Sequence, residues 1–160
     1  MTSIDFYFNV ASRPQVVRNL VKSALLKRRQ VTIFTDDEII ASELNHDLWQ
    51  NEAISFLPNV LINHAHAART PVIIYCKNNQ AEMHALVSEN SILQDDMLIN
   101  LTAHEPIFFS RFKQLIELVT DNEQDKTIAR QRYKFYRDRG YTIKNIDQAK
   151  MNPLNADKTE

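Results

Sequence analysis

Ile4, Phe6, Phe8 and Val10 alternate with Asp5, Tyr7 and Asn9, the period of two that lays one face of a strand against a core. Ser12, followed three residues later by Gln15, has the form of a capping box, and Val17, Leu20, Val21, Ala24 and Leu25 follow at helical spacing to about Lys27–Arg29. Gln30 to Thr35 is then a short β-branched stretch that predicts a second strand. Thr35 is placed to cap the next helix, with Glu38 at its third position and acids in a first turn that favours them. Strand, helix, strand and helix in this order need crossover connections, so the pattern predicts an α/β fold: a mostly parallel sheet with helices on both faces.

Further along, Pro71 to Cys76 predicts a buried strand, Ala81 to Val87 a short amphipathic helix and Met97 to Leu101 another strand. Pro106 opens a stretch in which Phe108, Phe109, Phe112, Leu115, Ile116 and Val119 fit a period of 3.6, which predicts a helix. A final helix runs from Lys126 to Arg139 and is stopped by Gly140. Beyond Ile146 the chain is polar and aperiodic. The expected organisation is a single domain over residues 1–146 and a frayed tail over 147–160.

Composition narrows the chemistry. With 44% hydrophobic and 24% charged residues and a net charge of −1, the chain is an ordinary globular one, and any contact with nucleic acid must come from a local patch. Gly140 is the only glycine, which excludes a Walker loop and a G-x-G-x-x-G turn. The lone Cys76 makes neither an internal disulfide nor a multi-thiolate zinc site, and it fits a reducing, cytoplasmic setting. No apolar run is long enough to span a membrane. His64 and His66 form an H-x-H pair, with His46, His84 and His104 scattered elsewhere, but no spacing matches a zinc site and the better reading is loop histidines. No nucleophile and base pair is readable, so neither catalysis nor a cofactor is expected.

One segment breaks the neutrality. Between residues 126 and 144 stand Lys126, Arg130, Arg132, Lys134, Arg137, Arg139 and Lys144 against a single acid, Asp138. At 100° per residue, Lys126, Arg130, Lys134 and Arg137 share one arc, Tyr133 lies at its edge, and Ala129 and Tyr136 turn toward the body. A basic stripe beside aromatic rings suits an acidic peptide with aromatic side chains, or a single-stranded nucleic acid. The neutral chain favours the peptide. Trp49, the only tryptophan, sits where a helix gives way to a turn and is followed by Phe56-Leu57-Pro58, a second candidate surface.

Asp5-Phe6-Tyr7-Phe8, Leu48-Trp49, Ser55-Phe56-Leu57-Pro58, Asp96-Met97-Leu98-Ile99-Asn100-Leu101 and Ala129-Arg130-x-Arg132-Tyr133-x-x-Tyr136-Arg137-x-x-Gly140-Tyr141, in this order, make the chain resemble the chi subunits of bacterial DNA polymerase III, accessory proteins of the clamp loader. The resemblance runs over nearly residues 3–145. It implies a Rossmann-like three-layer fold and no enzymatic activity. It also implies two partners, the psi subunit and the acidic C-terminal tail of single-stranded DNA-binding protein, with DNA met only indirectly and no membrane contact. Carried over by position, Val119, Lys126, Arg130 and Tyr133 would bind the tail, with Lys134 and Arg137 beside them on the same stripe. Trp49, Phe56 and Pro58 would face psi, and an accessory helicase is an alternative occupant of that surface. The chain departs from the family's pattern where Asn59 follows Pro58 and no glycine occurs from Val60 to Ala68.

Overall fold

In the computed structural model of the chain, residues 1–50, 59–61, 72–76 and 94–151 are described. Seven strands are hydrogen-bonded into one sheet: β1 (Ser3–Val10), β2 (Val31–Thr35), β3 (Asn59–Leu61), β4 (Val72–Cys76), β5 (Met97–Asn100), β6 (Gln114–Thr120) and β7 (Ile143–Asp147). Their order is β3-β4-β2-β5-β6-β1-β7, and every pairing is parallel. Helices α1 (Arg13–Leu26) and α2 (Glu38–Gln50) pack on one face, and α3 (Glu123–Asp138) on the other. A turn of helix, Gln148–Met151, follows β7. The expected α/β, three-layer architecture is the one observed.

Local chemistry sets the ends of these elements. The Ser12 hydroxyl accepts a hydrogen bond from the Gln15 amide at 3.4 Å, so the expected cap starts α1. Arg28, at φ +58°, ends it in the left-handed region, and the Arg29 amide reaches back to the Ala24 carbonyl at 2.9 Å. The α2 cap is Asp37 rather than Thr35: its carboxylate accepts from the Ile39 amide at 2.8 Å, while Thr35 closes β2 and its hydroxyl accepts from the Asp37 amide. Asn122 caps α3 through the amides of Gln124 and Asp125. Gly140, at φ +82°, turns the chain out of α3 while the Tyr141 amide bonds the Tyr136 carbonyl at 3.2 Å.

The helix expected from Pro106 to Val119 is not formed. A short 3₁₀ turn, Phe109–Arg111, leads into β6, which lies between β5 and β1 and is buried from Leu115 to Val119. The apolar spacing that fits a helix fits equally a strand covered on both faces, because there no polar alternation survives. A second difference lies in β1. Ile4, Phe6 and Val10 are buried as expected, but Phe8 is 36% exposed. Asn9 takes φ +58° and the register with β6 shifts between Tyr7 and Val10, so the extra residue turns Phe8 out of the core. Asn is among the few residues that accept this conformation cheaply.

Two apolar layers result. Val17, Val21, Ile33, Leu44, Ile74 and Ile99 lie among the residues under α1 and α2, whereas Phe6, Phe34, Phe108, Phe109 and Tyr136 lie on the α3 side. The latter layer is held partly by edge-to-face ring pairs such as Phe109–Tyr136, with centroids 5.1 Å apart, each worth about 0.5–1.5 kcal/mol beyond its buried area. Asp147, the first residue of the expected tail, closes β7 opposite Phe8. Residues 152–160 lie outside the described residues, as does the helix expected over Ala81–Val87.

Candidate functional site

The carboxyl ends of the strands are where a doubly wound sheet offers a ligand crevice. A cavity of about 410 Å³ opens there on the α3 side. Val119 and Thr120 reach it from the end of β6, Phe6, Phe8 and Asn9 from β1, and Asn145 from β7. Lys126, Ala129, Arg130 and Tyr133 close it from α3, at the i, i+3, i+4 and i+7 positions that share one helix face.

The apolar part of this cavity is built on packed rings. Tyr133 packs its ring edge-on against Phe6 with centroids 5.2 Å apart, and the Asn145 amide donates to its hydroxyl at 3.4 Å. The cationic part differs residue by residue. Arg130 is exposed and, among the described residues, pairs with no carboxylate. Lys126 is met by Asp121 at 3.0 Å and Glu123 at 3.5 Å, and the hydrogen bond and charge of Asp121 push its amine above the ordinary lysine value. Both acids lie just N-terminal to the basic segment, which is why counting charges from residue 126 onward missed them.

The stripe is also narrower than its sequence suggested. Arg132 is turned into the core, 3% exposed, where its Nε donates to Glu117 at 3.0 Å and its Nη1 to the Ala103 carbonyl at 3.0 Å. Glu117 is fully buried at the centre of β6 and accepts also from Asn100 at 3.0 Å and from the Tyr136 hydroxyl at 2.7 Å. Burial raises its carboxyl's pKa against the pull of Arg132, Asn100 and Tyr136, and burial beside Glu117 raises that of Tyr136. This buried network ties α3 to the sheet and fixes which of its faces looks outward.

Asp125 secures the first turn of α3. Its carboxylate accepts from the Thr120 amide and hydroxyl, both at 2.8 Å, and from Arg13 at 2.7 Å. Burial works to raise its pKa, but these hydrogen bonds and the Arg13 charge hold it below the ordinary aspartate value.

Of the residues singled out from the sequence, Val119, Lys126, Arg130 and Tyr133 come together in the cavity. Lys134 and Arg137 are exposed on α3 outside its lining, with Arg137 3.4 Å from Asp138. Trp49 falls in the last turn of α2, but its side chain, like Phe56 and Pro58, lies outside the described residues, as do His64, His66 and His84. Sequence reasoning missed Phe6, Phe8, Asn9 and Asn145, which the pairing of β1 with β7 brings to the cavity. Among the described residues no group of three or more His, Cys, Asp or Glu is placed to hold a metal ion, and no helix is long and apolar enough to cross a membrane.

A family model described as DNA polymerase III chi subunit, HolC, matches residues 1–144. The chain is similar to the DNA polymerase III subunit chi of Pseudomonas aeruginosa, 30% identical over 149 residues that cover 91% of this chain and 96% of the relative. It is 30% identical over 129 residues to that of Haemophilus influenzae, covering 81% and 83%. With that of Escherichia coli K12 it shares 28% over 142 residues, covering 89% and 88%.

Proposed function

Because the chain belongs to the DNA polymerase III chi subunit family, an accessory part of the replication machinery, we propose that it is a non-catalytic adaptor. One of its surfaces takes the acidic C-terminal tail of single-stranded DNA-binding protein, and another joins the psi subunit and through it the clamp loader. Its setting is the cytoplasm. The observation that carries this reading is the convergence of Arg130, which has no carboxylate partner among the described residues, with aromatic and aliphatic walls in one open cavity.

Arg130 holds the terminal carboxylate of the tail through charge-assisted hydrogen bonds, which its planar guanidinium can make in pairs. The terminal phenyl ring enters among Phe6, Val119, Ala129 and Tyr133. Lys126 meets acids further up the tail, and Lys134 and Arg137 extend the positive field along α3. Trp49, Phe56 and Pro58 are assigned to the psi surface, which an accessory helicase can occupy instead.

Titration with a labelled acidic peptide ending Asp-Phe-Pro-Phe tests the first surface. Arg130→Ala is expected to cost about 2 kcal/mol, the low end for truncating one partner of a charge pair because the site is open, or roughly thirtyfold in Kd. Equal binding by Arg130→Ala and the parent protein would sink the reading. Exposed Arg130, Lys134 and Arg137 beside Tyr133 also favour, as a second reading, direct binding of single-stranded nucleic acid. An oligonucleotide shift at moderate salt, with the peptide unbound, would select that one.

A further inference from the structure

A larger space of about 730 Å³ lies on the opposite face of the sheet, between α1 and α2, and nothing in the tail-binding reading uses it. Its apolar lining comes from Pro14 of α1, Ile40 of α2 and Leu101 beyond β5, with the buried Val17 and Leu44 as its floor. Ile40, Glu43, Leu44 and Asp47, spaced by three and four, present one face of α2 to it over about 10 Å, two helical turns. Both helices return from strands of a parallel sheet and pack on the same face, so they run alongside each other and the space between them is a groove. Apolar surface continues past its rim, where Ile39 is 69% exposed.

The formal charge that α2 and the turn before it bring to this groove is of one sign. From Asp36 to Gln50 the chain carries Asp36, Asp37, Glu38, Glu43 and Asp47 and neither lysine nor arginine. Asp37 is used in capping and Asp47 pairs with Arg18 at 2.6 Å, but Asp36, Glu38 and Glu43 have no basic partner among the described residues. Arg13, which also lines the groove, is already neutralised by Asp125. A phosphate or carboxylate is therefore repelled, although helices open onto this crevice and other doubly wound folds bind anions in it. A small apolar cation would leave Ile39 uncovered, whereas a helix laid along α1 and α2 covers both the groove and its rim.

We propose that this groove docks a short amphipathic helix of a partner protein, with apolar residues at i, i+3, i+4 and i+7 and lysine or arginine on its flanks toward Glu43 and Glu38. Thr120 is the one lining residue the two sites share, and no residue assigned to the tail lines the groove, so the proposal holds whether or not that assignment does. The probe is a helix-forming peptide with leucines at those positions and lysines on the flanks, titrated into isotope-labelled protein. Expected are shifts of the Val17, Leu44 and Leu101 methyls, severalfold weaker binding to Glu43→Lys, no binding to the Ile40→Asp and Glu43→Lys double variant, and unchanged binding to Arg130→Ala. Equal binding of a peptide with serines for the leucines, or with glutamates for the lysines, overturns the proposal. So do concentration-dependent shifts of the same methyls without peptide, which would make a second copy of this chain the occupant.

Discussion

Two concave surfaces flank the carboxyl ends of the strands, one under α3 and one between α1 and α2, and they differ in nearly every property except position. The α3 cavity is walled by aromatic rings and bears an arginine with no carboxylate partner among the described residues, whereas the opposite groove is aliphatic and carries Glu43, which has no basic partner among them, beside Asp47 already paired with Arg18. Thr120 lines both, and the Arg13–Asp125 pair stands between them. The crevice in which a doubly wound fold would seat one nucleotide is thus divided at Thr120 and the partly exposed Arg13–Asp125 pair into two sites of opposite polarity. A net charge of −1 conceals this segregation, because the surplus on α3 and the surplus around α2 cancel in the sum.

The largest expected effect comes from breaking the seat of α3. Glu117→Ala strands Arg132 in the core and leaves Asn100 and Tyr136 each short of a partner, and breaking a buried pair costs about 3–5 kcal/mol. Urea denaturation should show a loss of that size. Glu117→Gln, which keeps the shape and an acceptor, should lose less. If the network positions α3 as argued, peptide affinity at the α3 cavity falls in Glu117→Gln at temperatures where the variant is still folded, while the groove between α1 and α2 keeps its affinity for a basic helix. Equal losses on both sides would mean that the two sites share one support.

Glu117 also shows what the chain's pattern could and could not disclose. In a stretch predicted helical it reads as a solvent-facing charge, yet it is the most deeply buried acid among the described residues, because β6 is central and Arg132, fifteen residues further along the chain, comes inward from the basic run to meet it. Nothing local distinguishes the two cases; the partner is supplied by a different element. The parallel α/β plan was legible because crossovers follow from the alternation of element types. The α3 side of the cavity was legible too, since Lys126, Arg130 and Tyr133 share a helix face. Phe8 and Asn9 were not, because their exposure depends on a register shift in β1 that only pairing with β6 imposes.

The partition between the two sites can be loosened more gently at Arg13. Arg13→Ala removes one of the contacts that hold Asp125 below the usual carboxylate range, and for a partly exposed pair about 1 kcal/mol is expected. A carboxylate whose pKa is depressed by folding stabilises the protein above its unfolded value, about 3.9, and that contribution disappears as pH falls through the folded value. Stability measured against pH should therefore decline less steeply on the acid side in Arg13→Ala than in the parent. Asp96, lowered by hydrogen bonds and charge from Arg29 against its own burial, contributes with the same sign at the opposite end of the sheet, so part of the acid limb must survive. An unchanged limb in Arg13→Ala would show that Asp125 depends on Thr120 alone.

The smallest effect sharpens the comparison from the basic side. Lys126 is engaged by Asp121 and Glu123, so an acidic tail must compete with two carboxylates of the protein itself before it gains this amine. Arg130 carries no such debt, which makes it the dominant cation and Lys126 a conditional one. Asp121→Asn should bring the Lys126 pKa back toward its ordinary value and tighten the acidic peptide by about two- to fivefold, the range expected for one exposed ion pair. Calorimetry at low and high salt checks it, since the gain should shrink as screening rises. The basic helix on the opposite face should be indifferent to the change. Weaker binding of the acidic peptide by Asp121→Asn would mean that the aspartate orients Lys126 for its ligand instead of competing for it.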